Sequence, residues 1–443
     1  MSDSIPFFTH ASAQSIVAYR GGQPIEAWRF LADVAQVAAL LPGGSHVLNI
    51  CNDRYRFAVG FGASLLANRV SLLPPTYTPE VIRHLRALAP DAFCLTDDPE
   101  CSVDLPTLRF PDTPVLRTVP FKIPQIAATQ VVAYVFTSGS TGVPVPHRKH
   151  WGNLVRCVRV EADRLGLSAG GASIVATVPA QHMYGFETSL LVALQSASAF
   201  CAERPFYPAD IAAVLAAAPK PRVLVSTPVH LRALLASEVA LPALEMVVSA
   251  TAPLGESFAA EIEARLAAPL VEIYGSTETG QIATRRPTAL PTWRLWPGVR
   301  VSRRAERFWA EGGHIEEPTA LGDELEIIGP DAFLLHGRIG DLINIAGKRT
   351  SLSYLNHQLI AIPGVSDGAF FLPDDESASP TGVTRLGALV VAPQLDAATV
   401  VRQLRDRIDP VFLPRPLLFV DDIPRNATGK LPLHVLSSLV SRR

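Results

Sequence analysis

The chain has 443 residues, of which 48% are hydrophobic and 18% are charged, and its formal net charge is −2. This length predicts two or three domains, and the near-neutral charge argues against a nucleic-acid binder held by phosphate contacts. The apolar runs are shorter than the roughly 20 residues of a membrane helix, and the amino terminus lacks the pattern of a secretory signal. The five cysteines are scattered, which predicts reduced thiols in a cytoplasmic protein, and an enzyme is the expected class.

Strand and helix patterns alternate over the first 300 residues. This alternation predicts two largely parallel sheets with helices on their faces. The predicted elements are helix Ala27–Leu41, strand His46–Cys51, helix Tyr55–Ala67, strand Val70–Leu73, helix Pro79–Leu88 and strand Ala92–Thr96, then strand Ser173–Val178, helix Thr188–Gln195, strand Ser198–Cys201, helix Ala209–Ala217, strand Arg222–Ser226, helix Val229–Leu235, strand Met246–Ala250, helix Ser257–Ala267 and strand Leu270–Tyr274.

The pattern changes near Gly322, where two apolar segments separated by Gly-Pro-Asp predict an antiparallel hairpin. We therefore predict an α/β protein with an amino-terminal domain at 1–338, a hinge at 339–341 and a small α+β lid domain at 342–443. The predicted elements of this part are hairpin strands Glu324–Ile328 and Ala332–His336, strand Asp341–Ile345, helix Tyr354–Ile360, strand Gly368–Leu372, a loop at Pro373–Thr384, strand Gly387–Ala392, helix Ala397–Ile408 and strand Leu417–Val420.

The first motif that indicates chemistry is Thr137–Gly142, six hydroxyl or glycine residues directly after an apolar strand. Glycines let backbone N–H groups approach an oxyanion, and the hydroxyls add further donors, so the segment suits phosphate binding. It lacks the spacing of a Walker loop. The alternative is an ordinary flexible turn.

The second motif is Tyr274–Gly280, which follows the mostly apolar segment Leu270–Ile273. Ligands of open parallel sheets bind at the carboxyl ends of the strands. There, Glu278 is suited to hold Mg²⁺ beside phosphates, and Tyr274 offers a ring for stacking. The alternative is a helix start capped by Thr277 or Thr279.

The third motif pairs Asp323 with Arg338 across the predicted hairpin. A carboxylate suits the two hydroxyls of a ribose, and an arginine reaches hydroxyl or phosphate oxygens. A surface salt bridge is the simpler interpretation of this pair taken alone.

The fourth motif, Arg425–Lys430, places a lysine on a glycine-containing loop near the carboxyl end. Such a lysine can be presented to a distant site, although a solvated lysine is the simpler interpretation of the motif by itself.

Together, in this order and at these separations, the four motifs resemble those of the adenylate-forming superfamily, which comprises acyl- and aryl-CoA ligases, peptide-synthetase adenylation domains and luciferases. The segments Pro179–Gly185, Ser249–Leu254 and Gly337–Arg349 match as well, so the resemblance covers nearly the whole chain. It implies that a carboxylic acid is joined to AMP with release of pyrophosphate, and that a thiol then displaces AMP.

The resemblance also implies residue roles. ATP and Mg²⁺ would be the cofactors, and after adenylation the lid domain would rotate, withdrawing Lys430 and presenting the segment around Gly347 to the thiol. The implied phosphate and metal ligands are Thr137, Ser138, Gly139, Ser140, Thr141 and Gly142 for the β- and γ-phosphates, Thr277 for the α-phosphate, Glu278 for Mg²⁺, and Lys430 for the carboxylate and the α-phosphate. The implied nucleoside contacts are Tyr274 for adenine, with Ala250, Thr251, Ala252 and Gly275 beside it, and Asp323 and Arg338 for ribose. The implied acid pocket consists of His182, Met183, Tyr184, Ser249, Gly280 and Ile282, and the implied thiol tunnel is lined by His182 and Gly347.

The sequence departs from the family pattern at several points. The phosphate loop continues with Val145 where the family has a lysine, and Lys149 is the candidate to compensate. The hinge position aligns with Gly340, and the chain is shorter than most relatives. These features point to a divergent branch.

The substrate and the acceptor are predicted less directly. Small pocket walls favour a flat ring, and the short form resembles ligases of aryl polyene and xanthomonadin clusters, which load 4-hydroxybenzoate-type acids onto an acyl carrier protein. The alternatives are an aryl- or medium-chain acyl-CoA ligase and, from a different class, a non-catalytic nucleotide-binding regulator.

Overall fold

The computed structural model describes residues 3–74, 76–111, 120–138, 144–252, 254–338, 342–345, 348–372 and 386–425. These residues form an α/β structure with two large sheets, flanking helices, a region of antiparallel strands and a small carboxyl-terminal part. The predicted fold class is therefore confirmed. Within the described residues, no helix combines the length and the apolar character needed to cross a membrane.

The amino-terminal part centres on a six-stranded sheet of order β10-β9-β5-β4-β6-β7, in which only β10 runs antiparallel to its neighbour. The elements in chain order are β1 (Ser4–Pro6), β2 (Ile16–Arg20), β3 (Gln23–Glu26), α1 (Ala27–Leu40), β4 (His46–Asn49), α2 (Arg54–Leu66), β5 (Val70–Leu73), α3 (Pro79–Leu88), β6 (Phe93–Thr96), β7 (Thr107–Arg109), β8 (Gln125–Ala127), β9 (Val131–Ser138), β10 (Pro144–His150) and α4 (Trp151–Arg164).

The middle part contributes five parallel strands to an eleven-stranded sheet. Its elements are β11 (Ser173–Ala176), α5 (Met183–Gly185), a π-helix (Phe186–Leu191), α6 (Val192–Gln195), β12 (Ala199–Cys201), α7 (Pro208–Ala217), β13 (Arg222–Ser226), α8 (Pro228–Ala236), β14 (Met246–Ser249), α9 (Glu256–Leu266), β15 (Leu270–Ser276) and β16 (Gly280–Arg285). The strand order of the whole sheet is β21-β22-β17-β16-β15-β14-β13-β11-β12-β2-β3.

Antiparallel strands complete this sheet and form smaller ones, and a three-stranded sheet of order β25-β26-β27 organises the carboxyl-terminal part. The elements are β17 (Trp293–Leu295), β18 (Val299–Arg304), β19 (Arg307–Gly312), β20 (Thr319–Ala320), β21 (Asp323–Gly329), β22 (Ala332–Arg338), β23 (Leu342–Ile345), β24 (Lys348–Ser351), α10 (Leu352–Ile360), β25 (Asp367–Phe371), β26 (Gly387–Val391), α11 (Ala397–Arg405) and β27 (Leu417–Phe419).

Helices cover both faces of the parallel sheets. Successive strand residues point to opposite faces, and the neighbours Val47 and Leu48 of β4 are both fully buried. Trp151, at the start of α4, is also fully buried and packs near the rings of Phe7 and Phe61. This core fixes the strand ends from which the candidate site residues project.

The structure corrects the predicted elements in two places. Strands β16 to β20 are antiparallel, so the strand–helix alternation ends at β15 rather than near residue 300. The helix expected at Thr188–Gln195 begins at Met183, and its Phe186–Leu191 turns are π-helical. The loop expected at Pro373–Thr384 lies outside the described residues.

The carboxyl-terminal part packs against the amino-terminal part at α10. The imidazole of His357 lies directly over Gly255, at the start of α9, where a Cβ atom would overlap the ring. The predicted domain boundary stays a prediction, because residues 339–341 lie outside the described residues.

Candidate active site

The base of the predicted phosphate loop is a hairpin. Thr137 lies at the end of β9, and β10 returns beside it with Val145 opposite Thr137. His147 of β10 reaches back, so that its Nε2 lies 2.9 Å from Thr137 Oγ1 and 3.8 Å from Glu278 Oε1. The first two predicted motifs therefore meet at His147, a residue that the sequence analysis missed. Ser138 ends β9, and Gly139, Ser140, Thr141 and Gly142 lie outside the described residues.

Glu278 projects from a tight turn between β15 and β16. Ser276 and Thr279 close this turn, because the backbone N–H of each donates to the hydroxyl of the other at 3.2 Å and the two hydroxyls lie 3.1 Å apart. The turn leads into a strand, so a helix start at Thr277 or Thr279 is wrong. Gly275 is exposed and Thr277 is half-buried.

The Glu278 carboxylate fits a magnesium site. Its side chain is 37% exposed. The described residues contain no group of three or more metal-ligating side chains. A single accessible carboxylate suits Mg²⁺, since this ion is commonly held by one or two carboxylates together with substrate phosphates and water.

Asp323 and Arg338 lie opposite each other at the open end of the β21–β22 hairpin. The Tyr274 hydroxyl donates a hydrogen bond of 2.7 Å to Asp323 Oδ2. The side chain of Arg338 is outside the described part of the structure. The second and third motifs are thus linked directly, and the link runs through the tyrosine hydroxyl.

The ring of Tyr274 is held by other aromatic side chains. Its centroid lies 5.6 Å from that of Trp293, in a tilted arrangement, and 5.4 Å from that of Phe333, in an edge-to-face arrangement. Aromatic pairs at such distances add to the stabilisation from burial. The ring is therefore fixed before any ligand binds, and its stacking on adenine stays a prediction.

We expect Tyr274→Phe to raise the KM for ATP about tenfold, because a hydrogen bond to a charged group contributes about 1.5 kcal/mol or more. The KM for the acid should stay within about twofold, since Asp323 is assigned to the nucleotide alone. Both constants are measured by pyrophosphate exchange, with Tyr207→Phe, at a 67% exposed tyrosine, as the control. Equal rises in the two constants would contradict the assignment.

The segment Ala250–Ala252 follows β14 at the carboxyl edge of the sheet. Ala250 is buried, whereas Thr251 and Ala252 are exposed. Thr251 has a φ of +82°, in the left-handed region, which is unfavourable for a β-branched residue. Strained backbone of this kind is concentrated at binding sites, which agrees with the predicted place of Thr251 beside the nucleotide.

The predicted acid-pocket residues surround the start of the α5–π-helix segment. His182 caps this segment, and Met183 is buried. The Tyr184 hydroxyl lies 3.1 Å from the carbonyl oxygens of both Ser226 and Val248, so it ties the segment to β13 and β14. Ser249 Oγ is buried without a hydrogen-bond partner among the described residues.

The structure places Gly280 and Ile282 in different surroundings. Ile282 is fully buried in an aromatic core with Tyr274 and Trp293. Gly280 has a φ of +71° and borders an open cleft of about 230 Å³. The same cleft is bordered by Met183 and by Glu278, so it joins the predicted acid pocket to the predicted metal ligand.

Three further ionisable side chains line this cleft: Lys149, named above as the candidate to compensate for the missing loop lysine, and Glu187 and His314, which the sequence analysis did not select. Lys149 is 8% exposed, and its Nζ donates to the carbonyl oxygen of Glu278 at 3.2 Å. Glu187 is fully enclosed, and its Oε1 accepts from Cys157 Sγ at 3.2 Å. His314 Nε2 lies 3.0 Å from the carbonyl oxygen of Thr279.

Burial dominates the electrostatics of this cluster. It lowers the pKa of Lys149, against the attraction of Glu187. It also raises the pKa of Glu187 to about 7, against the opposing effect of Lys149. Burial lowers the pKa of His314 to about 4, so this imidazole is neutral near pH 7. The sequence signal that could have indicated this cluster is a charged residue within an apolar helical segment, such as Glu187.

The chain that leads to Lys430 is anchored at Arg425. The Arg425 guanidinium binds the Asp367 carboxylate through two hydrogen bonds of 2.8 and 2.7 Å. Bidentate pairs of this kind fix orientation as well as distance. Lys430 and Gly347 themselves lie outside the described residues.

Comparison with known proteins gives concordant matches. The sequence model of the family described as AMP-binding enzyme matches residues 29–331. The chain is 31% identical over 310 residues to a 4-coumarate–CoA ligase of Rhodobacter capsulatus, covering 69% of the chain and 76% of the relative. It is 24% identical over 360 residues to the 3-hydroxybenzoate–CoA/4-hydroxybenzoate–CoA ligase of Thauera aromatica, covering 71% and 68%.

Solved structures share the fold. The ATP-bound MatB of Rhodopseudomonas palustris superposes with a TM-score of 0.82 at 20% identity and covers 97% of each chain. A benzoate CoA ligase of Burkholderia xenovorans gives a TM-score of 0.75 at 18% identity, with 96% of each chain covered.

Proposed function

Since this chain belongs to the AMP-binding enzyme family, we propose that it activates an aromatic carboxylic acid and transfers the acyl group to a phosphopantetheine thiol. Membership of this family establishes that the protein is an acid–thiol ligase that proceeds through an acyl-AMP intermediate. The proposal concerns the substrate, the acceptor and the residues that act.

The observation that carries the proposal is that Glu278, Met183 and Gly280 border the same cleft. An acid must place its carboxylate beside the α-phosphate for in-line attack, so the acid and metal sites have to be continuous. The names of the relatives support a ring in the acid, since they include coumarate, hydroxybenzoate and chlorobenzoate ligases. We propose a 4-hydroxybenzoate-type acid.

The proposed roles follow the cleft from the nucleotide outward. Thr137 and its loop bind the β- and γ-phosphates, and Thr277 reaches the α-phosphate. Tyr274 and Asp323 hold the nucleoside, as their hydrogen bond supports. Glu278 holds Mg²⁺, which when bound supplies charge neutralisation at the phosphates. Lys430 bridges the carboxylate and the α-phosphate, where negative charge concentrates during the first step.

The proposed thiol acceptor is CoA or an acyl carrier protein. The named relatives are CoA ligases, which favours CoA. An acyl carrier protein is the second candidate, on the resemblance of the short chain to pigment-cluster ligases. Either acceptor presents the same phosphopantetheine thiol, and His182 would lie beside its path.

Pyrophosphate exchange with a panel of aromatic and medium-chain fatty acids tests the proposed substrate class. We expect exchange with hydroxybenzoates and weaker or no exchange with fatty acids. Exchange with fatty acids only would reject the aromatic assignment, and no exchange with any acid would favour a nucleotide-binding regulator. Thioester formation with CoA, compared with a phosphopantetheinylated carrier protein, then identifies the acceptor.

A further inference from the structure

We propose that Glu187, together with Lys149, forms the polar wall of the acid pocket and selects aromatic acids whose ring carries a hydrogen-bond donor, such as a hydroxyl or amino group. This inference rests on the proposed function, because it concerns how the same pocket distinguishes one aromatic acid from another.

Glu187 borders the cleft although it is almost fully buried. It lies there beside Met183 and Gly280, two residues of the predicted acid pocket. The glycine at position 280 leaves the space beside Glu187 free, because a Cβ atom there would lie 3.2 Å from Glu187 Oε1 and 3.3 Å from His314 Nε2. A ring bound in the cleft can therefore approach the carboxyl group closely.

The Glu187 carboxyl group has spare capacity to accept hydrogen bonds. A carboxylate offers about four acceptor sites, and the thiol of Cys157 and the side chain of Gln281 use two of them. Lys149 acts on Glu187 electrostatically, while its ammonium donates to the carbonyl oxygen of Glu278. Lys149 and Glu187 thus line one cleft, which offers a hydrogen-bond donor and an acceptor to a polar substituent on the ring.

A purely structural role explains these residues less well. Burying a lysine and a glutamate costs desolvation energy that apolar side chains of similar size avoid. Glu187 also lies in the π-helix Phe186–Leu191, and π-helical turns occur frequently at functional sites. The π-helical turn places Glu187 towards α4 and β16 rather than into the apolar core on either side of it.

The test compares 4-hydroxybenzoate, 3-hydroxybenzoate and benzoate with wild-type protein and Glu187→Gln. We expect the variant to lose about 10- to 100-fold in kcat/KM for the preferred hydroxybenzoate, the range for one hydrogen bond to a charged group, and less than about threefold for benzoate. Dissociation constants of the three acids, measured by calorimetry without ATP, should change in the same pattern.

Glu161→Gln is the matched control. Glu161 is also fully buried, but it lies on α4 and is bound by the Gln281 amide, outside the cleft lining. We expect its substitution to leave the ratio between hydroxybenzoate and benzoate unchanged. The double variant Lys149→Met/Glu187→Gln removes both charges and replaces Glu187→Gln in the comparison if the single variant folds poorly.

The outcomes separate the inference from the proposed function. Loss of selectivity confined to the Glu187 variants supports the inference. Equal losses for all three acids, the same change in Glu161→Gln, or a wild-type protein indifferent to the ring hydroxyl would overturn it and leave the aryl ligase standing. If no aromatic acid binds or exchanges, the proposed function itself fails and the inference falls with it.

Discussion

Replacing Lys430 with alanine is expected to slow adenylation by about 10²- to 10³-fold, the usual effect of removing one preorganised donor from a developing negative charge. The second half-reaction should be largely spared, because thiol attack on the acyl-adenylate does not need an amine between the carboxylate and the α-phosphate. The two half-reactions are measured separately, by pyrophosphate exchange and by thioester formation from a supplied acyl-adenylate.

Lys122→Ala, at an exposed lysine far along the chain from this loop, is the control for loss of a positive charge. It should leave both half-reactions unchanged. Equal losses in the two half-reactions of Lys430→Ala would contradict a role confined to adenylation. The anchoring of the chain by Arg425 on Asp367, just before this loop, supports a lysine presented from a fixed base.

The parallel part of the fold could be predicted from the sequence because its signals are local. Strands such as Val70–Leu73 and Arg222–Ser226 have the predicted bounds, since short apolar runs flanked by turn residues mark buried strands. The β10 strand could not be predicted in this way. It contains Pro144 and Pro146 with several basic residues, a composition that an edge strand tolerates but that strand patterns exclude.

The candidate site also contains residues that local sequence signals indicate and residues that only the fold brings together. Glu278 and Tyr274 belong to one compact motif, and Asp323 pairs with Arg338 across a predicted hairpin, so the resemblance of the combined motifs selects all three. Lys149 of β10 and Glu187 of the π-helix are far apart in the sequence, and only the packing of β10, the π-helix and β16 against α4 brings them to one cleft. A single charged residue within an apolar segment, such as Glu187, has no spacing that would indicate its partner.

Arg54 links the end of β11 to the π-helix that carries Glu187. It lies at the start of α2, is 2% exposed and donates to Ser189 Oγ of the π-helix at 2.6 Å. The same guanidinium donates to the carbonyl oxygens of Ala176 and Val178, at the end of β11, at 3.0 and 2.9 Å. Burial lowers the pKa of Arg54 to about 10, so the group remains charged near pH 7.

We expect Arg54→Met to lower the free energy of unfolding by about 3 kcal/mol, because it leaves two buried carbonyl groups without a donor, at about 1–3 kcal/mol each. Urea denaturation measures this change, from the midpoint and the slope of the unfolding transition of the amino-terminal part. Arg29→Met, at a partly exposed arginine paired with Asp33 within α1, should cost less than about 1 kcal/mol. If the two variants unfold at the same urea concentration, Arg54 is not the link between the end of β11 and the π-helix. The position of Glu187 would then have to be explained by apolar packing alone.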